Sequence, residues 1–542
     1  MLKSITIALN QINNRVADLI GNSALISRHC KEQQNYDLIL FPEMSISGYP
    51  CQDLWHRHHF VNQSWQQIQQ IQSFIGSNSC VMVGSPQLNG NKVYNSIALI
   101  DNQQIKKVFN KKSLPNTGVF HEKRHFTPAN TISYFSLQGF YFAVLICEDF
   151  WQKSNWLLLA EQDVDAVIVL NSSPYSFEKQ NKRQNLAKNL VEILKKPLIY
   201  LNQVGGEDGL VFDGNSFVFD GEGNKILQMS SFACDFAVIK LDNNGKITID
   251  KHPAGKYIEC NLANQYTATV LATRDYVAKK NFTKVVIGLS GGIDSALVAN
   301  IAVDALGSNN VSAIALPTNF NSSQSFIDAK NCADNLNISL QTINIEPIFQ
   351  QFLSSLKQQN LSQLATENLQ ARIRGNILMS ISNSTGALLL STGNKSELAC
   401  GYTTLYGDMC GAFNPIYDFY KTTVYKLATW RNANNCPISD FIVVNAIPNN
   451  IINKEPTAEL RPNQKDSDSL PPYPVLDAIL HELIEQKKSP QQIKGFDEQL
   501  VRKVAQMLCN SEFKRKQAST GTKVSEAAFN LDWIYPTKIF WQ

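Results

Sequence analysis

Residues 286–297 read VIGLSGGIDSAL, an apolar run that breaks on two glycines and then resumes with helical spacing. A glycine turn between a strand and a helix aims bare backbone amides at whatever lies above the helix N-terminus, so the stretch reads as an anion cradle. It lacks the Gly-Lys-Ser/Thr ending of the common P-loop. The helix that follows repeats Ile293, Leu297, Ile301 and Ala305 every four residues, and Gly307 closes it. Asp294 falls in the first turn, where a carboxylate complements the helix dipole. A sharper reading has it recruit Mg²⁺ to a phosphate on the loop, since hard cations take carboxylate and phosphate oxygens together.

Outward from this loop, strands and helices alternate. The runs KVVIGL, VSAIAL, SLQTINI and ALLLS read as strands, with helices over 294–306 and 325–336 and two more helical stretches before ALLLS. That order predicts a doubly wound parallel sheet, Rossmann-like, with ligands beyond the C-terminal strand ends. Upstream, from Met1 to about Asp242, short β-type runs recur: SITIAL, DLILF, CVMVG, SIALI, QIKKVF, FAVLIC, AVIVL and PLIYL. Helical spacing over 14–33, 61–75 and 178–194 separates several of them, which predicts an α/β sandwich of sheets covered by helices. Residues 246–265 show weak periodicity and are the expected linker between domains at 1–245 and 266–542.

Bulk properties agree with two soluble cores. A chain of 542 residues exceeds what one core supports. Its 44% hydrophobic and 18% charged content is that of ordinary globular proteins. A net charge of +3 argues against a nucleic-acid binder. The eleven cysteines are scattered without a Cys-x-x-Cys pair, so neither a disulfide scaffold nor a zinc site is indicated and a reducing cytoplasm is expected. No apolar run reaches membrane-spanning length, and the N-terminal one is too short for a secretory signal. His56, His58 and His59 are close in sequence, but no neighbouring cysteine or carboxylate set completes a metal site, so they read as loop surface.

GLSGGIDS (288–295: Gly288, Leu289, Ser290, Gly291, Gly292, Ile293, Asp294, Ser295) resembles the pyrophosphate loop of N-type ATP pyrophosphatases. Five further segments, ENLQARIRGN (367–376), STGNKSELACGYTTLYGD (391–408), FNPIYDFYKTTVYKLA (413–428), KEPTAELRPNQKDSDSLPPY (454–473) and EFKRKQA (512–518), together resemble glutamine-dependent NAD⁺ synthetases. The resemblance implies ATP contacts along the loop and at Thr392. It implies deamido-NAD⁺ contacts at Asn368, Arg372, Glu397 and Lys514, and Mg²⁺ held by Asp294 and Glu397. Taken alone, Arg372 with Arg374 reads as a solvated helix face, and Lys421 and the run Lys514, Arg515, Lys516 as surface charge. Residues 460–474 carry four prolines, so they are expected to form no regular element and to be either a mobile lid or a passive loop.

An adenylated carboxyl needs ammonia, which at neutral pH is mostly protonated, so a local source is expected upstream. Glu43 after DLILFP, Lys111 after QIKKVFN and Cys147 after FAVLI stand at strand ends. A thiolate, a proton-shuttling carboxylate and an oxyanion-steadying ammonium make an amidase. Alone, a cysteine ending an apolar strand is inert core. The segments LFPEMSISGYP, KKSLPNTGVFHE, ICEDFW and NSSPYSFEK resemble the nitrilase superfamily, which implies an α-β-β-α sandwich, a Glu43–Lys111–Cys147 triad and a supporting Glu122. It also implies glutamine contacts at Thr117, Glu122, Ser173 and Lys179, with Lys112 the competing register for the lysine.

Three positions depart from the family pattern: Thr117 stands where a tyrosine is common, SSQS (322–325) lacks the usual glutamate, and Ala412 stands where some members carry glycine. The expected reaction is ATP-dependent amidation of deamido-NAD⁺ with ammonia carried through the protein from glutamine, in a cytoplasmic homo-oligomer. An amidotransferase of the same ATP group with another acceptor, and a dinucleotide-binding scaffold with a dead amidase, are the competing readings. The dead-amidase reading requires loss of Glu43, Cys147 or Asp294, and all three are present.

Overall fold

The computed structural model describes residues 3–76, 79–253, 255–461 and 464–537. The chain forms two compact units, one of residues 1–207 and 211–259 and the other of residues 208–210 and 260–542. The stretch 246–265 is ordered at both ends. Ile247–Lys251 pairs with Asp235–Asp242 in the first unit, and the helix Asn261–Lys279 opens the second.

The first unit is built on two sheets. One runs in the order 247–251, 235–242, 4–11, 38–40, 80–89, 92–101, 104–110, and the other 225–228, 217–219, 198–202, 166–171, 140–146, 133–137. Side chains alternate across each strand. Ile5, Ile7 and Leu9 meet Phe142, Val144 and Ile146 in the core between the sheets, whereas Ala8 faces the helices with Ile26, Ile68 and Ile71. On the other sheet Ala143 and Leu145 turn outward onto Ala187, Leu190 and Val191 of the helix Lys179–Leu194. The result is the α-β-β-α sandwich expected. The strands before Glu43, Cys147 and Ser173 are parallel ones, and their C-terminal ends lie at one edge of the sandwich.

Sheet and helix predictions for this unit hold in their interiors, but several strands lie outside the predicted runs, including the eight-residue Asp235–Asp242 with its buried Ala237, Val238 and Ile239. Val204–Glu207 and Lys225–Gln228 span four residues each, too few for alternation to show. The expected helix 14–33 begins at Leu19, where Asp18 accepts the Gly21 amide as its N-cap. The helix expected from 61 begins at His58, so His58 and His59 occupy a helical first turn and not loop surface.

In the second unit six strands, 339–342, 311–315, 285–288, 388–390, 413–414 and 520–521, lie side by side and all parallel. The order reverses direction at Val285–Gly288, which has later strands on both sides. Such a switch point opens a crevice at the strand ends. The helix Ile293–Leu306 leaves from it, buried all round, and ends on Gly307 at φ 79°. Residues 460–474, expected to be irregular, include a 3₁₀ turn at Asp466–Asp468 and the start of the helix Tyr473–Ile484. Pro474 sits in that helix's first turn, where its fixed φ favours initiation. Pro462 and Asn463 lie outside the described residues.

Phe142 stacks on Phe135 at 5.1 Å between the sheets of the first unit. Phe142→Ala is expected to cost about 3–5 kcal/mol, measured as a lowered urea midpoint by far-UV circular dichroism.

Candidate active sites

The first site forms where the two sheets of the first unit end. Glu43 sits in a turn packed so closely on the strand Cys80–Asn89 that a Cβ on Gly84 would lie 2.2 Å from the Met44 nitrogen. Glu43 Oε1 accepts from Lys111 Nζ at 2.9 Å and from Asn95 Nδ2 at 2.7 Å, and its Oε2 accepts the Ser172 amide at 2.8 Å. Lys111 Nζ also donates to Glu122 Oε1 at 2.9 Å, which accepts from the Tyr49 hydroxyl as well. All these side chains are buried. Glu122 Oε2 has no hydrogen-bond partner, and burial lifts the Glu122 carboxyl to about 7 against the pull of Lys111.

Cys147 follows the strand Phe140–Ile146 with φ 48° and ψ −98°, a conformation that a non-glycine residue adopts only when its surroundings enforce it. Its amide donates to the Leu170 carbonyl at 3.0 Å. The thiol is buried and pushed well above its ordinary range, first by desolvation and then by the Glu43 charge, while Lys111 opposes the rise. Asp149, two residues on, accepts the amides of Ile146, Lys112 and Ser113 and so ties the cysteine turn to the lysine loop. The two adjacent lysines diverge. Lys112 Nζ turns away to Asn155 Oδ1 at 2.8 Å, and Lys111 points into the site.

Ser173 is held by Arg183, whose guanidinium donates to the Ser173 carbonyl at 2.7 Å and hydroxyl at 3.1 Å while pairing with Asp213 at 2.7 Å. Arg183 and Asp213 are fully buried, and sequence reading missed both. Lys179 lies over the Phe120 ring at 5.7 Å, and that ring is 6.3 Å from Tyr49. Thr117 is exposed. The aromatic ring beside Tyr49 and Lys179 therefore comes from Phe120, three residues beyond the threonine.

The second site is a cavity of about 310 Å³ at the switch point of the parallel sheet, lined by the 288–295 loop together with Thr392, Glu397 and Lys421. Gly291 has φ 80°, and a Cβ there would lie 2.1 Å from the Ser325 carbonyl, so only glycine fits. Ser290 and Ser295 hydroxyls bond each other at 3.0 Å and brace the loop, while the helix behind it carries no side-chain cap on its N-terminal amides. Asp294 Oδ1 accepts from Asn394 at 2.9 Å. The Lys421 ammonium bridges Asp294 Oδ2 and Glu397 Oε1, the latter at 3.1 Å. Glu397 also closes a capping box with Asn394, and burial lifts its carboxyl to about 8 despite Lys421. Lys421 is 3% exposed, which replaces its reading as surface charge.

Asn368, Arg372 and Lys514 lie outside the lining of this cavity. Asn368 accepts from Thr404 at 2.7 Å, exposed Arg372 donates to the Leu405 carbonyl, and Lys514 donates to the Gly401 and Thr403 carbonyls at 2.7 Å. Arg374, read with Arg372 as solvated, lines the cavity and donates to Leu316 and Asn321, and desolvation lowers its pKa to about 10. A carboxylate from a distant position reaches the SSQS segment. Glu459 accepts from Ser325 Oγ at 2.5 Å, Ser322 Oγ at 3.2 Å and Asn321 Nδ2 at 3.1 Å.

The two parts of the chain that carry these sites match known families. Residues 6–246 match the carbon-nitrogen hydrolase family and residues 265–518 the NAD synthase family. Over its full length the chain is 40% identical to the glutamine-dependent NAD(+) synthetase of Acinetobacter baylyi, covering 99% of that protein. The chain belongs to the glutamine-dependent NAD(+) synthetase family. A Synechocystis member is 41% identical over 98% of both chains. Among solved structures, the glutamine-dependent NAD+ synthetase of Acinetobacter baumannii in complex with adenosine diphosphate matches with a TM-score of 0.77 at 37% identity, over 99% of this chain and 98% of that one. Among the described residues of this glutamine-dependent NAD(+) synthetase family member, no helix is long and apolar enough to cross a membrane.

The charge around Cys147 gives a titration prediction. A thiol raised above its ordinary value of 9.0 gains thiolate only as pH climbs, so alkylation by iodoacetamide keeps accelerating above that pH. In Glu43→Gln the carboxylate that opposes the thiolate is gone, and the alkylation profile moves to lower pH. An unmoved profile would show that the thiol does not sense Glu43.

Proposed function

We propose that this chain makes NAD⁺ from deamido-NAD⁺, ATP and glutamine, the last step of NAD⁺ biosynthesis, with the nitrogen released in the first unit and the amide formed in the second. The observation that carries the proposal is the buried Glu43–Lys111–Glu122 charge group around Cys147, in a chain that also holds an anion loop with paired carboxylates.

In the first unit Glu43 takes the thiol proton as Cys147 Sγ attacks the glutamine amide carbon, and the Lys111 ammonium stabilises the tetrahedral oxyanion. Glu43 returns the proton to the leaving nitrogen, giving ammonia and a thioester. Water, deprotonated by Glu43, then releases glutamate and the thiol. Ser173 and Lys179 are the proposed glutamine contacts.

In the second unit the loop amides of residues 288–295 grip the β- and γ-phosphates of ATP, and Thr392 contacts the nucleotide. The deamido-NAD⁺ carboxylate attacks the α-phosphorus, pyrophosphate leaves onto the loop, and ammonia displaces AMP from the adenylate. No γ-phosphoryl group is transferred, which accounts for the absence of the P-loop lysine. Asp294 and Glu397 supply two carboxylates facing one cavity, a donor set that fits Mg²⁺. When bound there, the ion neutralises phosphate charge, and Lys421 provides a further fixed cation between the same carboxylates.

The test is a matrix of deamido-NAD⁺ and ATP with glutamine or ammonium. Cys147→Ala is expected to lose glutamine-driven NAD⁺ formation by roughly a thousandfold or more and to keep ammonium-driven formation. Asp294→Asn is expected to lose both. Retention of glutamine-driven synthesis by Cys147→Ala would overturn the assignment of the nucleophile, and turnover only of another acceptor would overturn the substrate.

A further inference from the structure

Sequence reading found no partners for the histidines at 56, 58 and 59. The fold gives His56 two. Asp53 and His56 stand three residues apart on the 3₁₀ turn Gln52–His56, where positions i and i+3 eclipse, so carboxylate and imidazole face the same way. His125, the last residue of the short helix Glu122–His125, brings its Nδ1 to 3.0 Å from His56 Nε2. His56 Nε2 is 3.9 Å from Asp53 Oδ1, and the three donor atoms all lie within 4.8 Å of one another.

Two imidazole nitrogens at 3.0 Å must share a single proton, one donating and the other accepting. Replacing that proton by a metal ion keeps both nitrogens satisfied. Tetrahedral zinc with bonds of 2.0–2.1 Å sets its donors about 3.3 Å apart, a value between the two measured His56 separations. Asp53 is exposed, so its side chain can swing from Arg124 to close the remaining distance, and water completes the coordination from the open side. Two imidazoles and one carboxylate favour borderline transition-metal cations over Mg²⁺ or Ca²⁺, which take oxygen donors. Arg124 competes through its exposed pair with Asp53 at 3.0 Å.

We propose that Asp53, His56 and His125 form a binding site for a Zn²⁺-class divalent cation. The ion clips the 52–56 turn to the helix that carries Glu122. Trp55 of the same turn packs between Tyr49 at 5.5 Å and His125 at 5.3 Å, and Tyr49 donates to Glu122, so the clip adjoins the wall of the Cys147 site.

The experiment is equilibrium dialysis of the full chain against ZnCl₂ in excess MgCl₂, for the parent, His56→Ala and Arg124→Gln, with Co²⁺ as a spectroscopic probe. The parent is expected to bind one equivalent that His56→Ala binds about a hundredfold more weakly or not at all, a loss at or beyond the top of what removing an outer partner costs. Arg124→Gln, which frees Asp53, binds more tightly than the parent. Parent-minus-His56→Ala Co²⁺ spectra show d–d bands without thiolate charge transfer, and Zn²⁺ raises the melting temperature of the parent but not of His56→Ala. Equal uptake by parent and His56→Ala, thiolate charge transfer in the difference spectrum, or unchanged affinity in Arg124→Gln would each overturn the proposal.

Discussion

The first unit is organised around one ammonium. Lys111 is fully buried and bonded to two carboxylates, Glu43 and Glu122. A buried cation persists only with such partners, and removing one member of a buried pair typically costs about 3–5 kcal/mol. Loss of Lys111 would leave two carboxylates facing each other in low dielectric beside a thiol. The ammonium therefore joins three segments distant in sequence, the turn after Leu38–Leu40, the loop after Gln104–Asn110 and the helix Glu122–His125. Cys147 is fixed to the same frame by Asp149, whose oxygens accept amides from the lysine loop.

The second unit uses the same motif to a different end. Lys421 also bridges two carboxylates, Asp294 and Glu397, but this group faces a cavity, while Lys111 is sealed in. A sealed ion group keeps its charges at fixed positions, as the oxyanion-stabilising role proposed for Lys111 requires. An open one can exchange partners, since phosphate oxygens entering the cavity would compete for the same ammonium. Desolvation raises Glu397 toward neutrality, and added positive charge lowers that cost.

Gly291 and Asp294 were legible because a strand-turn-helix pattern marks their position. Glu43, Lys111 and Cys147 stand at strand ends, but only the resemblance of their flanking segments to the nitrilase superfamily singled them out. What escaped reading depends on separations no window spans. Asp213 is thirty residues from Arg183, and Glu459 reaches Ser325 across 134 positions. Lys421 and Arg374 look like surface charge because helical spacing does not say which face a neighbouring element will cover. His125 could not be joined to His56 for the same reason, 69 positions apart.

The pairing of the first sheet bears on how the chain is made. The strand Ser4–Gln11 is synthesised well before its antiparallel neighbour, Asp235–Asp242. At cellular elongation rates the intervening segment takes roughly 10–50 s to emerge. Through that interval one edge of a strand rich in Ile and Leu stays open, although its parallel partner Leu38–Leu40 is already available. Closure of this sheet therefore waits for one late strand, Asp235–Asp242, so the core it covers cannot be completed locally.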